Sequence, residues 1–135
     1  MTNTPITNIM STAQKKKQLT AEAQEKDILF RESFVFVLDL IEFTELLEQK
    51  KKSSLAKQLL KAGTSFGEII NEARFTENNE KYICRLKKLS KNAHNTKYLL
   101  QLCKYSATYP NPNDLIADLD LLMEKIEGIV KNSRQ

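Results

Sequence analysis

The sequence contains few residues that interrupt a helix and no long apolar run. Its 135 residues include three glycines, three prolines and no tryptophan. An all-β protein needs frequent turn signals, so this scarcity favours long helices in a single domain. The longest apolar run, residues 34–38, is far shorter than the ~20 residues that span a bilayer. The N-terminus also lacks the apolar segment of a secretory signal. We therefore expect a cytoplasmic protein without a membrane segment.

Side chains that carry catalysis or bind metals are also scarce. Cys84 and Cys103 are 19 residues apart on one predicted helix. At the rise of an α-helix they are about 28 Å apart, too far for a disulfide within the chain. His94 lies about midway between them, which excludes a shared metal site on this helix. The sequence contains no GxGxxG, P-loop, HExxH, CxxC or GxSxG motif. We expect no enzymatic activity, no metal and no cofactor.

Residues 53–75 give a clear helical pattern. Gly63 and Gly67 interrupt it, and each costs roughly 1 kcal/mol relative to Ala in a helix interior. Two such costs within about one turn predict a neighbouring helix close to this backbone. The alternative is that both glycines are merely tolerated. The apolar residues recur at spacings of four and three, and they are Leu55, Leu59, Ala62, Phe66, Ile69 and Ala73.

Residues 29–49 are predicted to form the first helix. Residues 34–38, FVFVL, could alone be a buried strand, but some twenty residues without Gly or Pro favour a helix. Two apolar rows follow its length. We assign the first row to the core of the bundle and the second to an interface with another subunit. The first row is Phe30, Phe34, Val37 and Ile41, and the second is Phe36, Leu40, Phe43 and Leu47.

Two more helices are predicted at residues 78–106 and 113–132. Asn78 is the expected N-cap of the third helix, and Ser53 or Ser54 that of the second. Pro110 and Pro112 separate the third and fourth helices. The predicted core positions of the third helix are Tyr82, Leu86, Leu89, Ala93, Thr96, Leu100 and Cys103. Those of the fourth are Leu115, Leu119, Leu122, Ile126 and Ile129, widened by Ile116, Met123 and Val130.

The connections between these helices are short, so each reverses the direction of the chain. We therefore predict an all-α protein in which residues 27–135 form an antiparallel up-down-up-down four-helix bundle. Residues 1–26 contain few large apolar groups and are predicted to be a flexible polar arm. The three lysines at positions 15–17 could contact nucleic acid or an acidic surface, although a short charge run is usually only solvated.

Charge is distributed unevenly along the chain. Residues 27–49 carry a net charge of −5 and residues 50–104 a net charge of +9, within an overall charge of +4. The second and third helices therefore form a strongly basic hairpin beside an acidic first helix. Seven cations are candidates for binding the phosphate backbone of nucleic acid with little sequence preference. They are Lys57, Lys61, Lys81, Arg85, Lys87, Lys88 and Lys91.

Two other interpretations of this charge remain open. The basic hairpin of one subunit could face the acidic helix of the next, so that the protein is an interaction scaffold whose charges serve self-assembly alone. The charge could also be an ordinary solvated surface. Few aromatic residues lie among the seven candidate cations, so stacking of bases on aromatic rings is not predicted.

Residues 57–78, KQLLKAGTSFGEIINEARFTEN, resemble a segment of the four-helix bundle proteins called 23S rRNA intervening sequence proteins. That family includes the accessory variability determinant of diversity-generating retroelements. Ser65, Gly67, Glu72 and Ala73 match characteristic positions. The resemblance extends over about residues 28–132, through ESFVFVLDLIEF in the first helix and YICRLKKLSKNAHNTKYLLQLC in the third, where residues 98–100 replace an aromatic pair and Leu.

The resemblance implies a homopentamer that binds RNA or DNA through a basic surface, and in one branch docks a reverse transcriptase. It brings no catalytic residues. One departure concerns the third helix, where relatives often carry acidic residues. Here Asn92 and Asn95 occupy such positions, and Lys87 and Lys88 add charge. If the acids hold subunits together, the oligomer formed by this chain differs.

Overall fold

Four α-helices account for most of the structure. The computed structural model describes the backbone of residues 6–133 and the side chains of residues 23–133. The helices are α1 (Ile6–Gln49), α2 (Ser53–Arg74), α3 (Asn79–Lys104) and α4 (Asn113–Asn132). Residues 6–133 contain no strand, which confirms the all-α prediction.

The helices pack around one core. α1 contacts α2 and α4, and α3 contacts the same two helices. All four contribute fully buried side chains, among them Leu40, Phe66, Leu86 and Leu119. Complete burial of such a side chain stabilises the folded state by roughly 1.5–3 kcal/mol. The arrangement is that of a helical bundle.

Helix α1 begins much earlier than predicted. Its first residue is Ile6, whereas the sequence pattern placed the start near residue 29. Residues 6–26, predicted as an arm, are thus part of this helix, and residues 1–5 lie outside the described residues. The prediction relied on apolar content. However, no Gly or Pro occurs between residues 6 and 49, and a helix already formed extends through Ala, Gln, Lys and Glu at little cost.

The two apolar rows of α1 do not divide between core and interface as predicted, since the second row and Val37 of the first are buried. Phe36, assigned to a subunit interface, is 2% exposed, and its ring packs 5.6 Å from that of Phe66. Phe34, assigned to the core, is 51% exposed. The predicted interface is therefore wrong, because all its members are buried within one chain, namely Phe36, Leu40, Phe43 and Leu47.

The core pattern predicted for α2 is confirmed. All six predicted positions are buried. A Cβ atom added at Gly63 would stand 2.7 Å from Leu40 Cδ2, so α1 does approach the backbone at this point. At Gly67 the nearest atoms belong to Val37 at 3.8 Å, an ordinary contact distance. The predicted close approach is therefore confirmed at one glycine and absent at the other.

The predictions for α3 and α4 agree with the structure almost throughout. Every predicted core position of α3 is buried. In α4, Ile116 and Ile129 are half-buried and the other predicted positions are buried. Asn78 caps α3 by accepting a hydrogen bond of 3.0 Å from the backbone N–H of Lys81.

The N-cap predicted for α2 is wrong. Lys52 holds that position without a side-chain cap, so neither Ser53 nor Ser54 does. The cause lies in how α1 ends. Lys52 N–H donates to the Leu47 carbonyl at 2.8 Å, and Lys51 N–H donates to the Glu48 carbonyl at 2.9 Å. These bonds form a Schellman motif with Lys51 in the left-handed region at φ 62°. The chain then enters α2 directly.

Candidate nucleic-acid interface

Within residues 27–133, two long stretches contain no acidic residue. One runs from residue 49 to 67 and includes the α1–α2 turn and the first half of α2. The other runs from residue 81 to 113 and includes most of α3 and the α3–α4 connection. Together they contain twelve lysines and arginines. Such segments concentrate positive potential if the fold brings them together.

The fold places the two acid-free stretches side by side. The Asn92 side chain on α3 donates a hydrogen bond of 3.3 Å to the Ala62 carbonyl on α2. At one end of the bundle, Lys52 Nζ lies 4.9 Å from the centroid of the Tyr109 ring, which joins the α1–α2 turn to the α3–α4 connection. The two stretches therefore form one surface, which we call the basic face.

Six of the seven predicted cations are exposed. Arg85 differs, because it is half-buried and its Nε lies 3.5 Å from Glu72 Oε2. Of the twelve cations on the basic face, only Arg85 and Lys97 form ion pairs among the described side chains, Lys97 with Asp120 at 2.7 Å. The six exposed predicted residues are Lys57, Lys61, Lys81, Lys87, Lys88 and Lys91.

Positive charge is not uniform along the basic face. Near the α2–α3 turn, Glu72, Glu77 and Glu80 lie close in sequence to Lys81 and Arg85 and reduce the local potential. The opposite end, where residues 50–52 meet the α3–α4 connection, has no acidic residue in either segment. No carboxylate opposes the positive charge within these segments, and Glu48 and Asp114 flank them.

Sequence reasoning missed several residues of the basic face. It treated Lys50, Lys51 and Lys52 only as a loop, and it did not use Lys104. The signal that could have found them was the absence of acids on both sides of the α2–α3 hairpin. Nearby acidic residues cancel the positive potential of lysines, so the absence of acids affects the sign of the surface potential as much as the presence of lysines does.

A groove between α1 and α4 lies away from the basic face. Its volume is about 880 Å³. Val35 and Leu121 are exposed along it, and Glu32 and Lys125 form an ion pair across it. Other exposed apolar side chains of α1 are Ile28, Phe34, Leu38 and Leu46. These residues, and not the predicted row, are the apolar surface that α1 offers to another molecule.

The described residues show no centre for metal chemistry. His94 is paired with Glu127, with Nε2 and Oε2 3.1 Å apart. Nowhere among the described side chains do three His, Cys, Asp or Glu residues gather. No described helix combines the length and the apolar content needed to cross a membrane.

Comparison with known proteins identifies a similar fold. No family model matches the sequence, and no curated protein matches it either. A crystal structure of a protein of unknown function from the S23 ribosomal protein family of Bacteroides thetaiotaomicron is similar, with a TM-score of 0.72 and 23% sequence identity. The match covers 79% of this chain and 98% of that chain. At this identity the likeness establishes a shared small helical fold.

Proposed function

We propose that this protein is a non-enzymatic, homo-oligomeric helical bundle that binds RNA or DNA through its basic face with little sequence preference. The observation that carries the proposal is the meeting of the two acid-free stretches through the Asn92 and Lys52 contacts. Exposed lysines bind phosphate as mobile point charges and release counterions from the nucleic acid. Such contacts position the backbone of the nucleic acid and do not identify bases.

The proposal also includes the order of the helices in the bundle and the family to which the chain is related. The α1–α2 connection has only three residues, from 50 to 52, which favours antiparallel neighbours and an up-down-up-down bundle. The similar structure from the S23 ribosomal protein family supports a small helical family. Placing the chain beside the 23S rRNA intervening sequence proteins and the retroelement accessory determinants rests on the sequence resemblance. On that resemblance we propose a homopentamer. Docking of a reverse transcriptase or another nucleic-acid enzyme, and a cytoplasmic location, stay predictions.

Charge reversal on the basic face tests the proposal. We would compare K88E/K91E on α3 with R31E/K131E, which reverses two exposed cations of α1 and α4 outside the basic face. Binding of a labelled RNA and a DNA duplex would be measured by fluorescence anisotropy over a salt series. For the first variant we expect weaker binding and a log–log salt slope shallower by about 2, since each phosphate contact contributes about 1.

Unchanged binding by K88E/K91E, or an equal loss in R31E/K131E, would contradict the proposal. Circular dichroism would show that both variants keep their helices. Reversal of Lys81, Arg85 and Lys88, three of the predicted cations, is a weaker test, because reversing Arg85 also breaks its contact with Glu72.

The second candidate is an interaction scaffold whose charges serve self-assembly alone. The observation that favours it is that α1 exposes a run of carboxylates, including Glu32, Asp39, Glu42 and Glu45. The basic face of another copy could lie against them. Light scattering on a sizing column at about 0.1 M and about 1 M salt separates the two functions, because the Debye length falls from about 10 to about 3 Å. Dissociation at high salt supports the scaffold, and an oligomer stable in both supports a basic face available to nucleic acid.

A further inference from the structure

The outer surface of α3 carries an aromatic row in line with its lysines. Tyr98 is 57% exposed, and Tyr105, the C-cap residue that follows α3, is 78% exposed. They are seven residues apart, which places them on the same side of the helix, about 10 Å from each other along its axis. Lys91 lies seven residues before Tyr98 and continues the row.

These two rings lie within the longer acid-free stretch of the basic face. Residues 81–113 contain no Asp or Glu. Lys104 Nζ lies over the Tyr105 ring, 5.5 Å from its centroid, so a cation stands at one face of the more exposed of the two rings. Lys50 and Lys51 are exposed at the same end of the bundle, where Lys52 contacts Tyr109. Lysines, which can bind phosphate, and tyrosines, which can stack on bases, therefore lie close together along α3 and at this end of the bundle.

Exposed aromatic rings flanked by cations are how proteins bind single strands without reading their sequence. Every base has a face that stacks on a tyrosine ring, whereas the bases of a duplex are already stacked on one another. A surface of lysines alone would not distinguish single strands from duplexes by whether their bases are free to stack. The rings consequently give the basic face a preference that its charge does not supply.

We propose that Tyr98 and Tyr105 stack with unpaired bases, so that the protein prefers single-stranded RNA or DNA over duplex. This inference rests on the proposed function and specifies its substrate class. The strand lies along the outer surface of α3, with its phosphates on Lys87, Lys91 and Lys104 and two bases on the tyrosine rings. Base stacking is not one of the properties that sequence reasoning predicted, and the exposure of both rings is the observation that favours it here.

The test compares ring removal with ring retention in the full chain. Fluorescence anisotropy would give the affinity of Y98L/Y105L and Y98F/Y105F for a labelled uridine 15-mer and for a duplex of the same length. Each lost stack weakens single-strand binding roughly 5- to 150-fold. We expect the Leu variant to lose at least about 25-fold for the single strand, to change little for the duplex, and to be rescued by the Phe variant. F75L is the matched control, since Phe75 is 70% exposed at the other end of the bundle.

Three results would overturn the inference. If the Leu variant binds the single strand as the unmodified chain does, the rings do not stack, while duplex binding that needs the lysines would leave the proposed function intact. If neither nucleic acid binds, both proposals fail together. If the tyrosines are needed only for binding phosphatidylserine vesicles, the basic face binds an anionic membrane surface and not nucleic acid.

Intrinsic fluorescence provides a second measurement that needs no variant. The chain has four tyrosines and no tryptophan, so its emission comes from tyrosine alone. Saturation with the uridine 15-mer should quench that emission strongly and saturation with the duplex should not. Equal quenching by both would also overturn the inference.

Discussion

Gly63 of α2 lies against Leu40 of α1 at a distance that leaves no room for a side chain. A Cβ atom at position 63 would stand 2.7 Å from Leu40 Cδ2. Leu40 is fully buried, so its side chain has little freedom to move aside. The contact lies on the interface between α1 and α2, and it explains why the sequence accepts the helix-propensity cost of this glycine.

The two glycines of α2 should respond in opposite ways to alanine. G63A overpacks the core at a cost of roughly 1–3 kcal/mol and recovers roughly 1 kcal/mol of helix propensity. We expect a net loss of up to about 2 kcal/mol in the free energy of unfolding. G67A meets Val37 only at 3.8 Å and should gain about 0.5–1 kcal/mol. Urea unfolding measures both, and similar effects at the two positions would contradict the packing argument.

The α1–α2 turn should be stabilised by glycine at position 51. Lys51 has φ 62°, the left-handed conformation that costs a non-glycine residue roughly 1–2 kcal/mol. K51G removes this strain in the Schellman motif and should raise the free energy of unfolding by about 1 kcal/mol. K50G is the control, because Lys50 has no positive φ. A gain from K50G equal to that from K51G would show that the backbone conformation is not the cause.

Stability should fall at alkaline pH through two buried groups. Burial, with a smaller contribution from Glu25, raises the pKa of Tyr82 from 10.0 to about 12. Burial raises the pKa of Cys103 from 9.0 to about 11. As pH rises above about 9, the unfolded chain loses these protons before the folded chain does. The contribution to stability is therefore complete below pH 9 and decreases up to about pH 12.

Urea unfolding between pH 7 and 11 would measure this decrease. Y82F and C103A each remove one titrating group, so each variant should show a shallower decline than the unmodified chain. Lysine deprotonation contributes equally to all three proteins. If the decline is identical in all three, neither buried group is responsible for it.

Substitution of a buried and of an exposed phenylalanine of α1 should affect folding and assembly differently. Phe36 is buried against Phe66, and F36S should cost about 3–5 kcal/mol of stability by leaving a cavity with a polar group in it. Phe34 is half exposed and stacks only on Phe30, with the ring centroids 5.7 Å apart. F34S should cost less than about 1 kcal/mol.

Thermal unfolding and light scattering distinguish the two outcomes. F36S should melt well below the unmodified chain. If the exposed apolar side of α1 is a subunit contact, F34S should lower the oligomer mass while the protein stays folded. A folded F36S protein that is only dissociated would restore the interface that sequence reasoning assigned to Phe36.

Helices α2 and α3 were predictable because each has a single apolar row bounded by polar residues. A four-three spacing such as Leu55, Leu59 and Ala62 fits only one side of a helix, so the core positions follow directly from it. The Asn78 cap is equally local, since it needs only a backbone N–H three residues ahead. These features depend on nearest neighbours in the chain.

Helix α1 was less predictable for a different reason. Phe34 and Phe36 both belong to rows with helical spacing, and hydrophobicity ranks them alike. Which row is buried depends on where α2 and α4 dock, and Phe66 and Gly63 decide that from distant positions. The candidate site depends on the same kind of information, because the contact of Lys52 with Tyr109 joins two segments that are far apart in sequence.

Propensity, periodicity and composition are local or additive properties of the chain. They were enough to predict the helical class, three of the four helix starts, the core rows of α2 and α3, and the excess of lysine on their hairpin. Three other features came from the packing of the helices: the second row of α1 is core, Arg85 is paired with Glu72, and residues 50–52 meet the α3–α4 connection. Burial and electrostatic potential depend on neighbours that are distant in sequence, and those neighbours are known only once the helices are packed.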